Sequence, residues 1–193
     1  MNEISHYVLD ILGNSVRAYA RVVRLTITES PRENIYRMVF EDDGKGMSPE
    51  LLEEVFSPWM TTRKERRIGM GLPLLKQGAQ QCGGDLVVDS TPGVGTTVTV
   101  AFEYAHLDRP VAGDIAGSVV MTAASAPDIV FLYTHTTDKG TYRFSTVEVE
   151  EALDGVSLTN PSIMRAVQEM IRENLDEIGA GLDERTVLHN DMI

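Results

Sequence analysis

Asp10, Asn14 and Arg17 recur at spacings of four and three residues near the start of the chain. On a helix they project from successive turns of one side, so an acid, an amide and a guanidinium stand in register. Such a trio can handle a water, a metal ion and a phosphate respectively; it can equally be the polar face of an amphipathic helix. Further on, Glu41-Asp42-Asp43-Gly44-Lys45-Gly46-Met47 sets acids at the end of an alternating run, with glycines at Asp-x-Gly-x-Gly spacing. Glycines there let the chain turn sharply and let a flat ligand approach without meeting a Cβ. A carboxylate beside that opening accepts a hydrogen bond from an exocyclic amine such as that of adenine. The plainer reading is an Asp-Gly turn. A third group is basic: Arg63, Lys64, Arg66 and Arg67 lie within five residues, just before Ile68-Gly69-Met70-Gly71-Leu72. Glycines opening a helix beside a basic loop leave unpaired N–H groups pointing at an anion.

The elements that must position these groups follow from periodicity. Residues 3–20 carry Ile4, Tyr7, Val8, Ile11, Leu12, Ser15, Val16 and Tyr19 on one broad helical face. Val22 to Thr28 and Ile35 to Glu41 alternate as two strands around the turn Ser30-Pro31-Arg32-Glu33-Asn34. Ser48 caps a short helix with Pro49 at its first position, running to about Val55. Phe56 to Arg67 reads as a mobile loop, and a helix then runs from Gly71 to Gly83-Gly84. Asp85 to Ser90 and Gly95 to Tyr104 are strands, with Thr96, Val98 and Val100 on one face and Thr97 and Thr99 on the other. His106 to Gly113 is a connector. After it come a helix (Asp114 to Ser125), a hairpin (Asp128 to His135, Thr141 to Val147) and a short helix (Glu148 to Leu153). A final amphipathic helix starts at Asn160-Pro161 and runs through Ile178.

At 193 residues and 42% hydrophobic, the chain can bury one core, or one core and a subdomain. The single cysteine, Cys82, excludes an internal disulfide and fits a reducing compartment. With no apolar run of spanning length and no signal pattern, the expectation is a cytoplasmic protein without a membrane partner. The net charge of −12 is uneven: residues 103–193 hold 16 acidic against 6 basic side chains. That half argues against a nucleic-acid surface, which needs clustered Lys and Arg.

Asp10-x-x-x-Asn14, Asp42-x-Gly44-x-Gly46, Gly69-x-Gly71-Leu72 and Gly95-Thr96-Thr97 stand in an order that resembles the GHKL superfamily of ATP-binding domains: gyrase, heat-shock chaperone, histidine kinase and MutL. The run from Phe56 through Phe102, notably Phe56-Ser57-Pro58-Trp59-Met60-Thr61-Thr62 and Gly83-Gly84-Asp85-Leu86, looks most like a histidine-kinase catalytic (HATPase) domain. The helix Asp114–Ser125 with Pro127-Asp128-Ile129-Val130-Phe131 is similar to the stretch after the ATPase core of MutL. The whole chain also resembles a small group of bacterial stand-alone ATP-binding proteins, often found beside hydrogenase or NADH-dehydrogenase-type subunits. The resemblance implies an α/β two-layer sandwich, the Bergerat or GHKL fold. It would have a mixed, mostly antiparallel sheet with helices on one face. Residues 1–104 would form the ATP-binding domain, 105–180 a small C-terminal α+β lobe beside or extending the sheet, and 181–193 a tail.

The resemblance also implies roles. Asp42 binds the adenine amine, Gly44 and Gly46 shape the base pocket, and Thr96 lies near the ring. Asn14 coordinates magnesium between the phosphates, and Arg17 occupies a cationic position toward phosphate. Thr62 and Arg63 belong to the lid loop, and Gly69, Gly71 and Leu72 anchor that lid and the triphosphate. Asp10 sits where many relatives carry Glu as general base, one methylene longer. A histidine kinase carries a helical segment with its phosphoacceptor His before this domain, whereas here the ATP-site helix begins at the third residue. The expectation is therefore an ATP- and Mg2+-binding, kinase-like or regulatory module acting on a protein partner, such as a redox-enzyme or signalling subunit. The alternatives are a hydrolytic ATPase with nucleotide-driven dimerisation, or a non-catalytic nucleotide-sensing subunit of a redox complex. Whether ATP is hydrolysed, transferred or only sensed, and whether the chain forms a homodimer, stay open. The final helix either covers its own chain or docks a partner.

Overall fold

The structure, a computed structural model, describes residues 3–56, 71–153 and 156–181. Helix α1 (Ile4–Arg17) buries Ile4, Val8, Ile11 and Leu12 on one side. Strands β1 (Val22–Ser30) and β2 (Ile35–Asp42) form an antiparallel hairpin. Helix α2 (Pro49–Val55) follows, capped by the Ser48 side chain on the Leu51 N–H. Helix α3 (Gly71–Gln81) leads into the antiparallel pair β3 (Asp85–Thr91) and β4 (Gly95–Glu103). The second half supplies α4 (Ile115–Ser125), β5 (Val130–Thr136), β6 (Thr141–Ser145), α5 (Thr146–Ala152) and α6 (Pro161–Glu177).

The six strands of the described residues join one sheet in the order β3-β4-β2-β1-β5-β6. Among the described residues only β1 and β5 pair in parallel, because the chain crosses over through α4 before entering β5. Of the two placements left open for the second half, the sheet is extended by it. Successive residues of a strand point to opposite faces. Val23, Leu25 and Ile27 of β1, Tyr36, Met38 and Phe40 of β2, and Val98, Val100 and Phe102 of β4 are accordingly buried on the helical side. α4 lies between α1 and α6 and is buried along nearly its whole length, as a middle helix must be. α6 buries Val167, Ile171 and Leu175 and packs on α4 and β6, so its apolar stripe covers its own chain. The short helix begins at Thr146 rather than Glu148, because the Thr146 hydroxyl accepts from the Phe131 N–H at 3.1 Å and ends the strand there.

A buried polar chain joins the two halves. Tyr133 Oη lies 2.6 Å from His135 Nδ1, and His135 Nε2 lies 2.7 Å from Glu29 Oε1. The Gly181 N–H donates to both Glu29 oxygens at 3.1 Å, tying down the chain after α6. Burial holds the Tyr133 phenol well above its ordinary range. Cys82 is buried. Among the described residues no helix is long and apolar enough to cross a membrane.

Candidate functional site

β2 ends at Asp42 on its core-facing register, so the carboxylate turns toward α1 instead of solvent. Its Oδ2 accepts from the Ser15 hydroxyl at 2.8 Å, and its Oδ1 from the Gly44 N–H at 2.9 Å. Two fixed donors leave the carboxylate with acceptor capacity to spare, since two ionised oxygens offer about four lone-pair sites. Asp42 lines a cavity of about 290 Å³ between α1, the loop after β2, α2, the start of α3 and β4. Phe40, Met47, Leu51, Val55, Leu72 and Val98 make its apolar walls. Asn14, Ser15, Arg17, Lys45 and Thr96 supply polar groups.

The loop shaping this opening is pinned on both sides. The Lys45 N–H donates to the Ala18 carbonyl at 2.9 Å, and the Gly93 N–H to the Lys45 carbonyl at 2.8 Å. A side chain at Gly44 would stand 2.8 Å from Ala18 Cβ and 2.8 Å from its carbonyl oxygen. Gly46 has φ +64°, and a Cβ there would run into the Thr91 carbonyl. Both glycines are therefore required by close approach of backbone, the second also by its left-handed conformation. The Met47 N–H donates to Ser90 Oγ at 2.8 Å, and Ser90 Oγ sits 2.9 Å from Thr96 Oγ1. Asp43 faces away and fastens the loop to the chain entering β1. Its Oδ1 accepts from the N–H groups of Val22 at 2.8 Å and Arg21 at 2.7 Å. These bonds, that of Val22 foremost, hold its carboxyl below the usual carboxylate range.

At the end of α1 the Arg17 guanidinium donates to Asn14 Oδ1 at 2.6 Å, so the amide oxygen and the cation share one spot at the cavity edge. Asp10 is exposed one turn earlier and is not among the lining residues. It instead abuts the first residue of α3: a Cβ on Gly71 would collide with its carboxylate. An acid at a helix N-terminus is favourably placed against the helix dipole. Of the sequence-selected residues, Asn14, Arg17, Asp42, Gly46, Leu72 and Thr96 line one cavity, Gly44 supports its rim, and Asp10 and Gly71 meet beside it. Thr62, Arg63 and Gly69 lie outside the described residues.

Sequence reasoning passed over Ser15 and Ser90. Ser15 stood in the apolar face of the first helix, and Ser90 alternates with Leu86 and Val88 on β3. A hydroxyl at a core-facing position is the signal that could have found both, because buried polar groups need partners. A larger hollow of about 430 Å³ lies elsewhere, beside Glu29, His135, Asp114 and Arg172. These four groups already pair with one another, Glu29 with His135 and Arg172 with Asp114.

Residues 2–106 match the family described as histidine kinase-, DNA gyrase B- and HSP90-like ATPase. The chain is 33% identical over 101 residues to histidine protein kinase DivJ of Caulobacter vibrioides, covering 50% of this chain and 17% of that protein. It is 25% identical over 146 residues to sensor protein EvgS of Escherichia coli O157:H7, covering 72% of this chain and 12% of that one. The chain thus spans under a fifth of either relative's length. A solved N-terminal domain of a DNA repair protein shares the fold at a TM-score of 0.52 and 16% identity, over 96% of this chain and 59% of that one.

Proposed function

The chain belongs to the histidine kinase-, DNA gyrase B- and HSP90-like ATPase family, and we propose that its cavity binds ATP with magnesium, the adenine amine on Asp42. The observation that carries this reading is the Asp42 carboxylate, fixed by Ser15 and Gly44 at the end of a slot with apolar walls. Adenine is flat and apolar on both faces, with a donor at one edge. The slot offers Phe40, Met47 and Val98 to the faces and an acceptor-only group to that edge.

The phosphates then lie toward Asn14, Arg17 and the start of α3. Leu72 belongs to the first turn of that helix, where backbone N–H groups suit an anion. Among the described residues no cluster of three His, Cys, Asp or Glu stands ready for a metal. Magnesium is commonly held by few protein groups together with substrate phosphates and water. Asn14 Oδ1 is the hard oxygen suited to it, and the ion when bound would neutralise phosphate charge. Occupying Asn14 this way requires the Arg17 guanidinium to leave that oxygen, which frees it for a phosphate. Thr62, Arg63 and Gly69 join the phosphate contacts in this proposal on the strength of the family resemblance, as does a lid role for the segment around them.

For the output we propose a kinase-like or regulatory module acting on a protein partner, such as a redox-enzyme or signalling subunit. One observation favours the second reading, hydrolysis: Asp10 abuts the first residue of α3, where the phosphates would arrive. A base within hydrogen-bond reach of a water could orient it there. Isothermal titration with ATP and GTP in magnesium tests the binding proposal, which expects ATP to bind at least tenfold tighter. Equal affinity would overturn the placement of the base on Asp42. If ATP turns over, Asp10→Asn should abolish turnover while leaving ATP affinity unchanged.

A further inference from the structure

The sheet face turned away from the helices carries an ordered charge pattern. Strand pairing aligns its residues in rows across the sheet. One row runs Asp89, Thr97, Glu41, Arg24, Leu132 from β3 to β5. The next runs Val87, Thr99, Val39, Thr26, Thr134, Arg143 from β3 to β6. A third places Asp85 on β3 and Arg37 on β2. Every one of these residues is exposed or half-buried, Val87 at 52%. On a chain of net charge −12 this face carries nearly balanced charge, with acids at 41, 85, 89 and 103 and arginines at 24, 37 and 143. The acids all lie on one side, on β3, β4 and β2 with Arg37 beside them, while Arg24 and Arg143 lie on β1 and β6, across the centre line of the sheet. Between them the middle row is uncharged and mostly β-branched up to Arg143 at its end.

We infer that this face is the contact between two copies of the chain, packed face to face about a twofold axis running along the strands between β1 and β2. That operation lays β3 of one copy over β6 of the other, and β2 over β1. Glu41 then meets Arg24 of the second copy, twice by symmetry. Arg143 falls on the β3 edge between Asp85 and Asp89. Face-to-face sheets pack with strands rotated by about 30°. Such a rotation moves the outer strands by about one row relative to each other, which carries Arg143 onto one of the two acids and leaves the central pair in place. The β-branched stretch of one copy's middle row covers that of the other, so its apolar area is removed from water, and Arg37 of β2 faces Thr28 of the second copy. Six strands at about 4.8 Å and seven residues at about 3.3 Å give roughly 600 Å² per copy, near the roughly 800 Å² per partner of a standard interface. An isologous contact of this kind is self-complementary and closes at two copies.

Sedimentation of the full chain tests the inference. The wild-type chain should be dimeric at about 100 µM, and Arg24→Glu and Glu41→Arg should each weaken the dimer at least tenfold, since facing like charges are strongly disfavoured. Arg24 and Glu41 are also neighbours within one copy, so the deciding sample is an equimolar mixture of the two single variants. One variant then presents two acids and the other two arginines at the central positions, and a heterodimer should form where neither variant self-associates. The charge-swapped double variant should dimerise like the wild type. Arg143→Asp, on the exposed edge strand, should weaken the dimer without touching the core. A wild-type chain that stays monomeric at that concentration overturns the proposal. So does a dimer indifferent to all three substitutions, or a mixture that does not associate. Far-ultraviolet circular dichroism and ATP titration of each variant report whether it is folded.

Discussion

Asp42→Asn changes one atom of the site from acceptor to donor and leaves its shape alone. In the structure Oδ1 takes the Gly44 N–H and Oδ2 the Ser15 hydroxyl. The amide oxygen of Asn keeps one of these bonds, and the hydroxyl can turn to accept from the new NH2 group. Two charge-assisted bonds become neutral ones, so unfolding stability should fall by only about 1 kcal/mol. The ligand suffers more. A hydrogen bond from the adenine amine to a carboxylate is worth about 1.5–3 kcal/mol, which is roughly a 10- to 150-fold rise in Kd for ATP when it is lost. Inosine triphosphate is the informative partner, because it differs from ATP in carrying a carbonyl where adenine has the amine. The wild-type carboxylate meets that carbonyl acceptor to acceptor; the Asn amide offers it a donor. The ratio of the two affinities should therefore collapse from both ends, ATP weaker and inosine triphosphate stronger. Isothermal titration of both nucleotides on both proteins reads the ratio directly, with thermal unfolding as control. Equal losses for the two nucleotides would mean that Asp42 acts only by bracing the loop. Unchanged ATP affinity would mean that the base sits elsewhere, and the reasoning fails.

Other positions give independent checks. Asn14→Ala should weaken ATP binding in magnesium about tenfold or more while adenosine binding stays as it was, and chelating the metal should erase the difference between the two proteins. Asp43→Ala removes the acceptor for the Arg21 and Val22 N–H groups and should cost about 1 kcal/mol in a urea melt. Because the folded carboxyl is held below its unfolded value, chiefly by the Val22 bond, that contribution is complete above about pH 4 and is lost as the pH falls through the lower folded value. Gly46→Ala forces a Cβ at φ +64° into the Thr91 carbonyl and should destabilise by more than the roughly 1–2 kcal/mol of left-handed backbone alone, with ATP affinity falling in parallel. Ile171→Ala, at a fully buried position of α6, should cost about 2–5 kcal/mol in the same melt; a cost below 1 would mean that α6 is not part of the core.

The family fold was legible because its signals are local and ordered. Alternation located every strand within about two residues, and the three- and four-residue periods located α1, α3 and α6. The face assignment of β4 holds, with Val98 and Val100 buried. Pairing beyond hairpins was not legible. Nothing in the sequence of β5 says that it lies parallel to β1, from which it is separated by three other strands and three helices in the chain. Register of that kind is set by which apolar faces can be covered at once. α4 illustrates it, being apolar nearly all round because α1 and α6 flank it on either side.

At the candidate site, the residues proposed to touch a ligand were easier to find than those that hold them. Asp42, Asn14 and the glycines stand out by type against their neighbours. Ser15 and Ser90 do not, since a serine on an apolar face reads as a small residue until its partner is known. The same limit applies more strongly to Glu29 and His135, which meet at 2.7 Å across 106 residues of chain and are both buried. Each alone in the sequence is a polar residue on a strand. Together they form a hydrogen-bonded pair in the core, and leaving either without the other would strand a buried polar group at a cost of about 1–3 kcal/mol or more. The pair therefore couples the second half of the chain to β1, one strand from Asp42. A change that displaces the chain after α6, where Gly181 donates to Glu29, acts on the same sheet that carries the cavity.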